Sequence, residues 1–137
     1  MTAVLITVLA LALAYVLFVT WAMRQPVEVF YHTFWSAFFR RILPDGMRAI
    51  SLWRWVILLY PPHDPRGHLG VIGRIHELSG HILNPDQWAG HPYAFPFMYG
   101  AEMGRCAVRY GRKEAYNKNK YEEQARFISG EPSRVAK

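Results

Sequence analysis

Between Ile75 and Ile82 the chain carries the string His76-Glu77-Leu78-Ser79-Gly80-His81. Two imidazoles about one helical turn apart, with a carboxylate directly after the first, are what metal-assisted hydrolysis requires. They offer two neutral nitrogen ligands for zinc and a base able to take a proton from water. The familiar arrangement, HExxH, sets its histidines at i and i+4 on one helix face. Here the separation is i+5, which on a regular α-helix turns the two rings about 140° apart. They converge only if the turn widens. A π-bulge supplies that widening, and Gly80 tolerates the altered backbone. The expected site is therefore a distorted helix turn with His76 and His81 as ligands and Glu77 as the base, completed by a third ligand from elsewhere.

The elements that must position these residues are helical. Val71, Ile75, Leu78 and Ile82 form one apolar stripe that Asn84-Pro85-Asp86 terminates. A second helix is expected over 96–110, with Phe97, Ala101, Gly104 and Val108 on one face, close approach of another backbone at Gly100 and Gly104, and Gly111 as its cap. A third begins at Asn119 as N-cap, with Glu122 three residues on completing a capping box, and ends near Gly130. Glu122 thus has a purely structural use as a cap, and a further one as a partner of Arg126 at i+4. Glu123 has no capping use.

HELSGH resembles the HExxxH variant of the zincin metallopeptidases, found as HELLGH in the dipeptidyl peptidase III family. In that family a glutamate from a later EECRAE-type motif is the third ligand, and Tyr121-Glu122-Glu123-Gln124-Ala125-Arg126 stands in the corresponding place here. The stretch from about Ile75 to Arg126 is also similar to small, membrane-associated zincin-like proteins of bacteria and phages. These carry HExxH, an apolar-aromatic helix, a Tyr/Gly/Asn-rich turn and then N-x-(F/Y)-E-x-(E/Q)-A, which Asn119-Lys120-Tyr121-Glu122-Glu123-Gln124-Ala125 matches. The resemblance implies a gluzincin-type, peptidase-type site in which His76, His81 and Glu122 bind zinc and Glu77 is catalytic; Glu123 stays open as the third ligand. The extra residue in HELSGH is the departure from the commoner pattern.

Other candidates are weaker. His63, His68 and His91 lie in or beside proline-rich turns, His91 being the reserve ligand, and His32 sits among aromatics as a packing or headgroup residue. Tyr93, Tyr99, Tyr110 and Tyr116 include candidates for a phenol that stabilises an oxyanion. Cys106, the only cysteine, reads as a small buried residue, and its solitude excludes an intrachain disulfide and any Cys-rich zinc or c-type haem site.

Of the 137 residues, 16 are Lys or Arg and 10 Asp or Glu, a net charge of +6, and every charged side chain follows Met23. Residues 2–23 are free of charge, Gly and Pro, about 33 Å of helix, enough to cross a bilayer. A cleaved signal peptide has a basic n-region and a shorter apolar core, so a retained single-pass anchor over 1–23 is expected. Arg24, Arg40, Arg41, Arg48 and Arg54 on its C-terminal flank place the domain in the cytoplasm by the positive-inside rule. Residues 24–62 are expected to be membrane-interfacial: an amphipathic helix over 29–42 built on Phe30, Phe34, Phe38 and Ile42, the breaker Pro44-Asp45-Gly46, and a second interfacial or core element over 47–60. A loop at 61–67 opens the small helical domain, 63–137. No alternating strand pattern of useful length and no internal repeat appears, so the expected class is all-α.

Arg105, Arg109, Arg112, Lys113, Lys118 and Lys120 concentrate positive charge that suits anionic headgroups, while no nucleic-acid-binding motif is present. A different class of function also fits: a non-catalytic accessory or structural subunit of a larger membrane complex, respiratory, photosynthetic or virion. Aromatic content near the bilayer and the small size of the domain after residue 62 favour it.

Overall fold

The computed structural model describes residues 1–44 and 46–134. Asp45 of the expected breaker and the last three residues of the expected domain lie outside the described residues. The chain is mostly helical, as its periodicities require, and begins with the apolar helix α1, Thr2–Ala22. With no polar face, α1 exposes nearly all its side chains, burying only Val19 and Ala22. It is long and apolar enough to cross a membrane.

The all-α expectation needs correction in the segment after α1. A three-stranded sheet forms from β1 (Glu28–Tyr31), β2 (Ala49–Leu52) and β3 (Trp55–Leu58), in the order β1-β3-β2. β3 pairs with β1 in parallel and with β2 in antiparallel fashion, Leu52 facing Trp55 across a two-residue hairpin loop. The expected helix over 29–42 therefore starts only at Thr33, as α2 (Thr33–Ile42), and the expected element over 47–60 is a hairpin. Its strands are apolar on both faces, which conceals the alternation that would betray them. The loop itself is unusual, since Trp53 takes φ 53°, a left-handed conformation in which bulky residues are rare. Its ring is held against Trp88 and Phe18, and its Nε1 donates to Pro92 O at 3.0 Å. α2 docks on the sheet through buried Ser36, whose Oγ donates to Leu58 O at 2.6 Å, and leaves Phe34, Trp35, Phe38 and Ile42 exposed.

After a 3-10 turn at Pro65–Gly67, α3 (Val71–Ile75) runs without a break into a π-helical segment, His76–Ile82. α4 (Phe95–Tyr110), α5 (Arg112–Lys118) and α6 (Lys120–Ser129) complete the fold. Gly111 and Gly130, with φ of 84° and 74°, end α4 and α6 as expected, because side-chain-bearing residues resist those dihedrals. Two apolar clusters flank β2. Ala49, Val56 and Ile82 form one with Leu58, Leu69 and Leu78 around them; Trp88, Phe95 and Tyr121 form the other, joined by Leu52, Trp53 and Tyr99.

Two expected faces turn out differently. Val71 and Ile75 are exposed while Ile82 is fully buried, because the π segment rotates its downstream half away from the stripe that a regular helix would keep. On α4 the buried side is Phe95, Glu102 and Cys106, and Phe97 and Val108 face outward. A Cβ at Gly100 or Gly104 would meet nothing within 4 Å, so no backbone approaches there among the described residues.

Candidate metal centre

The π segment carries two of the three site residues and α6 the third. Its widened hydrogen bonding, with Leu83 N donating to Leu78 O at 2.8 Å, is the i+5 pattern that brings His76 and His81 to one side. Asn84 Nδ2 donates to Gly80 O at 2.9 Å and satisfies a carbonyl that the altered ladder would strand. Gly80 also does something the sequence did not disclose. A Cβ there would stand 2.7 Å from Ala125 Cβ and 2.8 Å from Ala125 Cα, so its bareness lets α6 press directly against the π segment. Ala125 lies one turn beyond Glu122, and this contact sets the depth at which the Glu122 carboxylate enters.

His76, His81 and Glu122 are all buried, and their donor atoms lie within 4.8 Å of one another. His76 Nε2 and His81 Nε2 are 3.3 Å apart, Glu122 Oε2 is 3.3 Å from His76 Nε2, and Glu122 Oε1 is 3.6 Å from His81 Nε2. A tetrahedral ion bonded at about 2.0–2.1 Å has ligand-to-ligand edges of about 3.3–3.4 Å. The separation of the two imidazole nitrogens is that of one such edge, each imidazole has a Glu122 oxygen at 3.3–3.6 Å, and the group could hold a metal ion. Two imidazole nitrogens face to face and out of water need a shared proton or a cation between them, which is a second mark of fit.

Each of the three side chains has a neighbour behind it. Gln87 Oε1 lies 2.7 Å from His81 Nδ1 and accepts its proton, which turns the lone pair of Nε2 toward the centre. Gln87 is fixed in turn by donating to Tyr121 O at 3.2 Å and to Gln124 Oε1 at 3.0 Å. His76 Nδ1 stands 3.0 Å from Glu131 Oε1, an ion-pair distance without the alignment of a hydrogen bond. Tyr99 donates its hydroxyl to Glu122 Oε1 at 2.6 Å.

Protonation follows from this packing. Burial pushes the His81 imidazole down, but the charge of Glu122 and its hydrogen bond, assisted by Glu77 and Gln87, override it and hold the pKa at about 9. Burial alone would raise Glu122; the two imidazoles instead bring it well below the usual carboxylate range. Burial and the same negative charge push the Tyr99 and Tyr116 phenols well above 10, so both remain neutral donors. In the metal-free centre a proton thus stands where a cation would.

Glu77 is not one of the three converging donors. It is buried in the wall of a cavity of about 140 Å³ whose lining also includes His81, Glu122, Tyr99, Tyr116 and β2. Ser51 Oγ donates to Glu77 Oε2 at 2.6 Å. Its carboxylate thus stands in the same cavity wall as His81 and Glu122, outside the converging trio.

The sequence-expected trio converges, and Glu122 is the acid that joins it; Glu123 instead accepts from Arg126 Nε at 3.1 Å. The expected capping box does not form. Asn119 caps alone, accepting from Tyr121 N at 2.9 Å, while Glu122 turns inward; nor does Arg126 pair with Glu122. His63, His68 and His91 are exposed and do not join the trio, and His32 caps α2 through Nδ1, accepting from Trp35 N. Among the four tyrosines, Tyr99 and Tyr116 reach the centre, Tyr93 instead touches α1, and exposed Tyr110 lies beneath Arg109. Of the basic cluster, Arg105 is consumed in a bidentate pair with Glu102, at 2.7 and 2.9 Å, while Arg109, Arg112 and Lys113 are exposed. Gln87, Ser51 and Glu131 were not foreseen. Ser51 was hidden by the missed hairpin, and nothing in the spacing of Gln87 or Glu131 marks them. Comparison with family models, curated proteins and solved structures returns no match for this chain, so the geometry of the residues themselves carries the functional assignment.

Proposed function

We propose that this chain is a membrane-anchored, zincin-like zinc hydrolase of peptidase type, with His76, His81 and Glu122 as ligands and Glu77 as the catalytic base. The observation that carries it is the convergence of three buried donors, within 4.8 Å of one another, across an i+5 pair that a π turn brings together. Two nitrogens and one carboxylate oxygen suit zinc, and three protein ligands rather than four are the mark of a catalytic centre with a position left for substrate or water. Zinc bound there would polarise a carbonyl and lower the pKa of water. Glu77 then takes the proton from water and passes it to the leaving nitrogen, while Ser51 holds its carboxylate in place. The neutral phenol of Tyr116, in the same cavity, is the donor available to an oxygen that gains negative charge. β2, which lines that cavity, has no partner on its outer edge among the described residues, and an extended peptide can pair with such an edge. α1 serves as a retained single-pass anchor: Val19 and Ala22 are fully buried, so its last turns belong to the packing of the domain. The arginines after Met23 favour a cytoplasmic domain.

The test is metal analysis of the purified chain. One zinc per chain is expected, lost in a His76→Ala/His81→Ala double variant; the same near-zero content in both would reject the centre. A second reading is favoured by the cavity on the β2 side, whose 140 Å³ is small beside the roughly 300–1,000 Å³ of ordinary ligand pockets, whereas the cavity of about 370 Å³ that opens on His76 and Glu77 leaves room for a substrate. In that reading the metal is a staple in a non-catalytic subunit of a membrane complex. Glu77→Gln separates the two, abolishing hydrolysis in an enzyme while leaving zinc content and stability unchanged in either case.

A further inference from the structure

The way α1 meets the domain bears on where the cavity finds its substrate. α1 does not simply lead into the domain; its C-terminal half lies against it. Tyr15 donates its hydroxyl to Tyr93 O at 2.8 Å and packs edge-on against Phe97, with ring centroids 5.7 Å apart. Thr20 Oγ1 and the Tyr93 hydroxyl are 2.9 Å apart. Phe18 packs on Trp53 at 5.0 Å and Trp21 on Trp55 at 5.7 Å.

These contacts fix a depth. The apolar run ends at Met23, and Arg24 marks the level of the headgroups. Tyr15 is nine residues earlier, about 13 Å deeper along the helix axis. A tilt of 40°, the upper end of the usual range, still leaves about 10 Å. The headgroup layer on each side of a bilayer is only about 5–7 Å thick. Whenever α1 spans a bilayer, Tyr93 and Phe97 are therefore carried below the headgroups to the edge of the hydrocarbon. Their chemistry agrees: Phe97 is 67% exposed and Tyr93 43%, and Trp21, Trp53 and Trp55 stand higher up, as a belt of amphipathic rings does.

The cavity lies directly behind this face. Phe95 and Pro96, the two residues before Phe97, line it, as do Leu52, next to Trp53, and Trp88, which packs on Trp53 at 5.2 Å. We infer that the domain sits sunk in the bilayer surface around Tyr93 and Phe97, and that the cavity takes as substrate a polypeptide already held at that surface rather than one free in water. The substrate half rests on the hydrolase reading above; the sunken face does not.

The experiment uses the full chain in phosphatidylcholine/phosphatidylglycerol vesicles, with nitroxides placed singly at Leu9→Cys, Phe97→Cys and Tyr93→Cys. Cys106 is fully buried and stays unlabelled. At all three positions oxygen should relax the label more effectively than a water-soluble nickel chelate, with Leu9 deepest. A label at Phe97 as open to nickel as in detergent-free solution, or one at Leu9 outside the lipid, overturns the sunken face. In the second arm, zinc-loaded protein in the same vesicles is given a quenched random-sequence peptide mixture, either free or carrying a diacyl anchor. Cleavage of the anchored mixture should be at least about tenfold faster, as confinement to one surface raises effective concentration, and Phe97→Asp should abolish that preference. Equal cleavage of both overturns the substrate assignment. No cleavage of either, with the labels still in lipid, removes the hydrolase reading and the substrate assignment with it, and leaves the sunken face standing.

Discussion

Replacing Gly80 by alanine tests whether the contact between the π segment and α6 sets the metal geometry. The new Cβ would lie 2.7 Å from Ala125 Cβ and 2.8 Å from Ala125 Cα, where carbon atoms in ordinary contact stand about 3.5–4.0 Å apart. One of the obstructing atoms is backbone, so no rotamer change relieves it; α6 has to retreat by about 1 Å. Glu122 rides on the same helix one turn earlier, and its 3.3 Å separation from His76 Nε2 opens by a similar amount. Metal sites tolerate only about 0.2 Å in their bond lengths. Overpacking of this kind costs about 1–3 kcal/mol, which for a domain of this size lowers the melting temperature by roughly 5–15 °C. Zinc affinity should fall on the order of 10–100-fold, comparable to losing a residue that supports a ligand. The assays are thermal melting of the metal-free protein and competition titration with a zinc chelator. Gly100→Ala is the control: it too is a helical glycine, but its Cβ meets nothing, and it should stabilise by about 0.5–1 kcal/mol. If Gly80→Ala melts with the wild type and binds zinc equally well, the close approach does not govern the site.

Gln87→Leu leaves His81 Nδ1 without its acceptor and should weaken zinc about 10–100-fold in chelator competition; affinity within a few-fold of wild type would refute the orienting role. In the metal-free protein, His81 has a folded pKa of about 9, above its unfolded 6.5, so the stability it contributes is complete below about pH 6.5 and lost as pH rises through about 9. The ceiling is on the order of 3 kcal/mol. Melts under chelation should therefore fall from pH 6 to pH 10. With zinc in excess the same window should show the opposite trend, since the metal displaces that proton, and parallel curves would contradict the assignment. Ser36→Ala removes the hydroxyl that ties α2 to Leu58 O from a fully buried position, and should cost about 1–3 kcal/mol by chemical denaturation; a loss below about 0.5 kcal/mol would mean that α2 docks by other means.

Much of the site could be read before the fold was known, because its signals are local. A histidine pair one residue too far apart demands a π turn, and the capping Asn119 announces the helix that delivers Glu122. What escaped was whatever depends on partners distant in sequence. The hairpin Ala49–Leu58 has strands greasy on both faces and turns on Trp53-Arg54, with neither glycine nor asparagine at a position where φ is 53°. Its packing against Phe18 and Trp88 and its hydrogen bond to Pro92 O hold that turn in place. Ser51 was lost with it. The stripe of α3 was misjudged for the opposite reason: its spacing was read on a regular helix, and the π turn that unites His76 with His81 also swings Ile82 inward and leaves Val71 outside. The Glu122 capping box failed because a stronger demand, two buried imidazoles lacking a counter-charge, competed for the same carboxylate.

The extra residue between the histidines bears most directly on whether the centre is functional. Widening a helix turn gives up regular hydrogen bonding, and burying two imidazoles with a carboxylate costs desolvation. Three separate features nevertheless sustain the arrangement: Asn84 satisfies the carbonyl of Gly80, Gly80 admits α6, and Gln87 fixes the His81 tautomer. All three lie within the eight residues 80–87, directly on or after the π segment, and a fold seeking only stability would be served as well by leucines at 76, 81 and 122. π turns in helices concentrate where function holds them in place, and this one brings together two donors of a buried group that could hold a metal ion. The distortion is accounted for by what it positions, and an ion bound there would take over the role that a proton on His81 otherwise has, as counter-charge to Glu122.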